Sequence, residues 1–207
     1  MQEDSRAIGH FSYIKGIFGT NTADLFKKIY LDFKLEDLHE LGELIEEMKY
    51  PKLGEGSTRA TYAISATKVI KIPTGSSGWQ WAEIKASLTE YIVYKKLKSM
   101  KLFVPTELYF YKSIPVLIAD RVSPLERNEG MAFRESKQGI KKFGKLCDGR
   151  SQIGKNSNGE IRCFDFGLEE HLIPANKTDV SKNFSKVNQK KHKDVSPFLF
   201  PSELLPY

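Results

Sequence analysis

Residues 161–167 read Ile-Arg-Cys-Phe-Asp-Phe-Gly and carry most of the information about the fold of this 207-residue chain. The apolar residues predict a short β-strand, and the sequence Asn-Ser-Asn-Gly at 156–159 predicts a tight turn before it. The strand ends in Asp165, whose carboxylate can hold Mg²⁺ against phosphate oxygens because that ion prefers hard oxygen ligands. Three residues alone can arise by chance, so the weight of this motif depends on the sequence before it.

Two ionisable residues upstream fit the same chemistry. Lys71 lies in the apolar segment 69–72, a predicted strand, where a lysine needs a specific partner. Glu90 follows nineteen positions later, in a segment whose apolar residues repeat at helical spacing. A lysine that reaches the α- and β-phosphates while paired to a helix carboxylate explains both. Alternatively, Lys71 extends to water from an edge strand and Glu90 lies on a solvated helix face.

A glycine-containing loop precedes both residues. Residues 54–62 read Gly-Glu-Gly-Ser-Thr-Arg-Ala-Thr-Tyr, and paired glycines let a backbone approach phosphate groups closely. By themselves Gly54, Gly56 and Ser57 are better explained as a simple tight turn. The order of glycine loop, strand lysine, helix glutamate and Asp-Phe-Gly argues against chance.

These segments resemble the protein-kinase-like superfamily, and especially small kinase-like proteins of bacteria and their phages. The resemblance spans about residues 53–167 and includes Leu-Ile-Ala-Asp-Arg-Val at 117–122. It implies an α+β, bilobal protein-kinase-like fold with an antiparallel N-lobe sheet, one main helix and a strongly reduced C-lobe. It also implies a Lys71–Glu90 ion pair, a hinge that binds adenine through the backbone near Ala119 and Val122, and ATP and Mg²⁺ as cofactors, with Asp165 as a metal ligand.

The segment that should contain the catalytic loop departs from the family pattern. Counting back from Asp165 places Cys147 at the position of the catalytic base and Gln152 at that of the asparagine that binds the second metal ion. Asp148, one residue away, is the candidate base, because geometry rather than register decides which carboxylate reaches a hydroxyl. Gln152 is the candidate metal ligand. Arg59 replaces the third glycine of the loop, and we expect it to contact phosphate.

The chain divides into four predicted parts: a helical extension at 1–50, a kinase-like N-lobe and hinge at 51–122, a reduced C-lobe at 123–175 and a basic tail at 176–207. The tail carries six lysines between 176 and 194 and is interpreted as flexible or ordered by a partner, with an apolar end that can dock on the domain or on another protein. The predicted helices lie at 35–48, 79–100 and over most of 123–145, and the predicted strands at 61–64, 68–72, 107–111, 116–122, near 153 and at 161–164.

Composition limits the partners and the cellular compartment. The formal net charge of +6 favours anionic partners without naming one. Two cysteines and no signal peptide predict a reduced, cytoplasmic protein, in the host cytoplasm if the chain is phage-encoded. Apolar runs far shorter than the roughly 20 residues of a membrane span predict no membrane partner.

Three functions remain open. The first is an ATP- and Mg²⁺-dependent phosphotransferase acting on Ser or Thr hydroxyls of proteins, with Asp148 as base, Asp165 on Mg²⁺, and Lys71 on the phosphates and paired to Glu90. The second is a pseudokinase that acts as a nucleotide- or protein-binding module. The third, a nucleic-acid-binding protein, rests on charge alone and is not favoured.

Overall fold

The fold is α+β. The computed structural model describes residues 15, 20–75, 80–136, 138–139, 152–166 and 194–199. The candidate base Asp148 lies outside these residues, together with Cys147, Gly167 and the lysine-rich segment 176–193.

A five-stranded antiparallel sheet lies at the centre of the described structure. Its strands are β1 (Lys52–Glu55), β2 (Arg59–Ala63), β3 (Lys68–Pro73), β4 (Thr106–Tyr111) and β5 (Ile114–Asp120), in the order β1-β2-β3-β5-β4. β3 and β5 are central and almost wholly buried, as their runs of apolar residues require. The structure confirms the four strands predicted here, with shifted ends. It adds β1, whose exposed residues give no apolar signal.

Helix α3 (Gln80–Leu97) packs on this sheet, and a 3₁₀ turn (Lys98–Met100) follows it. The buried residues Ile84, Leu88 and Ile92 recur every four positions and form one side of the helix in the core. The helix also buries two carboxylates, Glu83 and Glu90, completely. The predicted helix at 79–100 is therefore confirmed over the residues that the structure describes.

Two N-terminal helices, α1 (Thr20–Asp32) and α2 (Leu35–Glu47), share the core of the sheet. The predicted helix at 35–48 is α2, whereas α1 lies within the predicted helical extension at 1–50 but was not located as a separate helix. Hydrogen bonds tie α2 to the β4–β5 turn, because Asp37 accepts from the Ser113 hydroxyl at 2.6 Å and Glu40 accepts from the Tyr111 hydroxyl at 2.6 Å. The segment predicted as a helical extension is thus packed against the domain over its described residues.

A second, three-stranded antiparallel sheet follows. Its strands are β6 (Ser123–Pro124), β7 (Ile153–Lys155) and β8 (Ile161–Cys163), and helix α4 (Arg127–Glu135) lies between β6 and β7 in the chain. The predicted turn at 156–159 joins β7 to β8, with Gly159 at φ +76°. Among the described residues, the prediction of helix over most of 123–145 is confirmed for 127–135 and for 138–139. Residues 123–124 form a strand instead because they pair with β7.

The last described segment packs on the edge of the large sheet. The N–H of Val195 donates to the Phe110 carbonyl of β4 at 3.1 Å, and helix α5 (Ser196–Leu199) follows. Leu199 is fully buried, and its carbonyl accepts from the Tyr50 hydroxyl at 3.1 Å. Within the apolar end of the tail, residues 197–199 thus dock on the domain, in line with one of the two interpretations; residues 200–207 lie outside the described residues.

Among the helices of the described ranges, none is both long enough and apolar enough to cross a bilayer.

Candidate functional site

A cavity of about 750 Å³ opens between the five-stranded sheet, the first half of α3 and the smaller sheet. The β1–β2 segment contributes four predicted contacts to its wall: Gly54, Gly56, Ser57 and Arg59. The rest of the wall includes the other predicted residues that the structure describes, except Glu90: Lys71, Ala119, Val122, Gln152 and Asp165. Residues up to 111 positions apart in the chain, from Gly54 to Asp165, are thereby brought to one cavity.

Lys71 forms the predicted ion pair with Glu90. Its Nζ lies 2.6 Å from Glu90 Oε1, and both side chains are buried. The pair forms because β3 is central, between β2 and β5, so that the lysine cannot extend past a sheet edge to water. Lys71 Nζ also donates to the carbonyl oxygen of Phe164. The alternative of an edge-strand lysine and a solvated glutamate is wrong.

Arg59, the first residue of β2, joins three elements through one guanidinium group. Nη1 lies 2.7 Å from Glu90 Oε2 and 3.4 Å from the Ala86 carbonyl, both on α3, and Nη2 lies 2.9 Å from Asp165 Oδ1. The side chain is only 8% exposed. Burial tends to lower the pKa of Arg59, but the negative charges of Glu90 and Asp165 outweigh it, and the net pKa is raised above its ordinary value. The sequence predicted a phosphate contact for Arg59 and did not predict this bridge.

Asp165 follows β8 and lies at the cavity wall with its side chain 47% exposed. Its Oδ1 pairs with Arg59, and its Oδ2 accepts from Gln152 Nε2 at 3.4 Å. The two predicted metal ligands are therefore adjacent.

The donor groups of Asp165 and Gln152 fit Mg²⁺. One carboxylate and one amide oxygen, completed by phosphate oxygens and water, are a usual set of ligands for that ion. Within the described ranges no three His, Cys, Asp or Glu side chains converge, so the phosphates would have to supply ligands here. Gln152 would turn its amide over to present its oxygen, because its nitrogen now faces Asp165.

The predicted adenine-binding backbone lies at the end of β5. The N–H groups of Asp120 and Arg121 already donate to the carbonyls of Pro105 at 2.9 Å and Thr67 at 2.8 Å. No backbone carbonyl among the described residues accepts from the N–H of Val122. Ala119 pairs with β3 and β4 inside the sheet. Of the two predicted contacts, Val122 therefore has the more accessible backbone donor.

The fold does not require glycine at position 54 or 56, the two glycines of the loop at 54–62 that is the candidate phosphate-binding segment. A Cβ atom on Gly54 would meet nothing within 4 Å, and one on Gly56 would lie 3.9 Å from the Arg59 carbonyl. Neither residue has a positive φ angle. Open space beside both glycines is the arrangement that a ligand approaching the backbone needs.

We expect Gly54→Ala and Gly56→Ala to weaken nucleotide binding by about tenfold each, because the added methyl group occupies the space beside the backbone. The thermal midpoint without ligand should stay the same or rise, since an alanine at a compatible φ stabilises by about 0.4–1 kcal/mol. Titration calorimetry and thermal melts measure the two effects.

Gly42→Ala is the matched control, because Gly42 lies in α2, away from the cavity, with nothing within 4 Å of its added Cβ. It should leave nucleotide binding unchanged. Loop variants that bind nucleotide as tightly as the Gly42 variant would contradict a phosphate role for the loop.

No family model matches the chain, and no curated protein shows a significant match to it. The function is therefore proposed from the geometry of the site.

Proposed function

We propose that this protein binds ATP in the cavity and transfers its γ-phosphoryl group to a hydroxyl of a protein, in the manner of a protein kinase with a bilobal fold. The single observation that carries the proposal is the position of Lys71. Its amine is held by Glu90 and by the carbonyl of Phe164, the residue directly before Asp165. An amine and the carboxylate that we propose as the metal ligand thus lie at one cavity, whose volume is large enough for a nucleotide.

Each residue has a role in this proposal. Lys71 binds the phosphates, Glu90 orients Lys71, and the backbone at Gly54 and Gly56 lies over the phosphates. Asp165 and Gln152 would hold Mg²⁺, which supplies charge neutralisation at the phosphate oxygens when it is bound. Asp148 remains the candidate base and lies outside the described residues.

A second function is favoured by a specific observation. Both carboxylate oxygens of Asp165 are engaged by protein donors, Arg59 and Gln152. A site whose metal ligand is already paired suits a pseudokinase, which binds a nucleotide or a protein without transferring phosphate.

The experiment is phosphate transfer from γ-labelled ATP with Mg²⁺ to a mixed Ser/Thr peptide library, for the wild type and for Lys71→Ala and Asp165→Ala. We expect transfer by the wild type and a loss of at least about a hundredfold in each variant, because each removes charge stabilisation of the transition state. Lys95→Ala is the control, since Lys95 pairs with Glu107 away from the cavity.

Ligand-dependent melting separates the candidate functions. ATP should stabilise the wild type by about 2.7 kcal/mol at a concentration one hundred times its dissociation constant. Stabilisation without transfer supports the pseudokinase. Transfer that survives both substitutions contradicts the assigned roles, and the absence of both transfer and stabilisation contradicts a nucleotide site.

A further inference from the structure

Arg59 is a buried cation that the roles above leave unexplained. Together with Lys71 it faces two carboxylates, Glu90 and Asp165, so the four side chains carry no net charge. Lys71 alone would neutralise Glu90. The second cation, Arg59, therefore compensates the negative charge of Asp165, the residue that would bind the metal ion in the proposed function.

The guanidinium is fixed at this place. Its planar fork binds Glu90 and Asp165 through different nitrogens, and Nη1 also contacts the carbonyl of Ala86. A lysine ammonium lacks this rigid fork and is poorly suited to bridge two carboxylates in this way. Arginine also stays protonated at any physiological pH, so the positive charge beside Asp165 is permanent.

We propose that Arg59 is a resident cation of the nucleotide site, which neutralises Asp165 and so removes part of the repulsion between that carboxylate and a bound polyphosphate that a divalent ion would otherwise have to remove. This inference rests on the proposed nucleotide binding and concerns the regulation of that site by metal. It follows that ATP binds with only weak dependence on Mg²⁺, because a cation already lies beside Asp165 and takes one of its oxygens.

An arginine with a purely structural role predicts a different result. Loss of such a residue would damage binding of metal-free ATP and of the magnesium complex alike, and their affinity ratio would stay constant. Loss of a resident cation instead weakens the binding of free ATP and leaves Asp165 open to Mg²⁺. The ratio of the two dissociation constants therefore separates the roles.

The test measures the dissociation constant of ATP by titration calorimetry, once with excess EDTA and once with excess Mg²⁺. Metal dependence is the ratio of the dissociation constant in EDTA to that in Mg²⁺. We expect this ratio to be below about fivefold for the wild type and at least about ten times larger for Arg59→Gln. Arg59→Lys keeps the charge but loses the fork, so its ratio should lie between those of the wild type and Arg59→Gln. Arg127→Gln is the matched control, since Arg127 is exposed on α4 and outside the cavity wall.

Two results would overturn the inference while leaving the proposed function intact. One is a wild-type ratio above about thirtyfold, which would show normal metal dependence. The other is a ratio in folded Arg59→Gln equal to that of the wild type. If Arg59→Gln does not fold, the wild-type ratio decides, since a small ratio supports the resident cation and a large one overturns it. Failure of ATP to bind in both conditions would instead remove the proposed function itself.

Discussion

Glu90→Ala is expected to lower the free energy of unfolding by about 3–5 kcal/mol, because it leaves two buried cations without their shared counter-charge. Glu90 is fully buried, and its oxygens lie 2.6 Å from Lys71 and 2.7 Å from Arg59. Removal of one partner of a buried charge cluster costs far more than the net energy of the pair, since the remaining charges stay out of water. Urea denaturation monitored by circular dichroism measures the loss.

Glu107→Ala is the matched control. Glu107 also pairs with a lysine, Lys95, at 2.5 Å, but its side chain is 37% exposed. Ion pairs of this kind contribute about 0–1 kcal/mol, because water already solvates both charges. Equal losses in the two variants would show that Glu90 does not act as the buried counter-charge of the site.

Prediction from sequence succeeded where the polarity of a residue differs from that of the residues around it. Lys71 was recognised because a charge within an apolar strand needs a partner, and that partner was found on the next predicted helix. The cavity residues in the glycine loop and at Asp165 were recognised because their order along the chain is informative. In these cases the chemistry of short segments was sufficient for the prediction.

The remaining features depend on packing between distant segments. Arg59 meets Asp165 across 106 positions, and nothing local indicates which carboxylate it binds. The sequence did contain an indication. Arg59 is the first residue of a strand that continues with Ala60 and Tyr62, and a charged residue there needs a partner, as Lys71 does. The sequence also indicated helix α1, because Leu25, Phe26 and Ile29 have the spacing of residues on one buried side of a helix.

The bounds of β6 could not be predicted because its two residues are polar or helix-breaking and become a strand only by pairing with β7. That pairing matters for the site, since it holds the end of the predicted hinge segment, at Val122, beside the strand that follows Gln152. Gly154 of β7 lies opposite Pro124 of β6. An added Cβ there would lie 2.6 Å from the Ser123 carbonyl oxygen and 3.0 Å from Val122 Cγ2.

Gly154→Ala is therefore expected to destabilise the protein by about 2–3 kcal/mol, because the methyl group meets backbone that can yield only if β6 moves away. The same shift would displace Val122, so nucleotide affinity should fall together with the thermal midpoint. Gly54→Ala supplies the contrast, since its added Cβ meets nothing within 4 Å and it should lose affinity without losing stability. A Gly154→Ala protein with unchanged melting and unchanged affinity would show that contact with β7 does not hold Val122 and the predicted hinge segment in place.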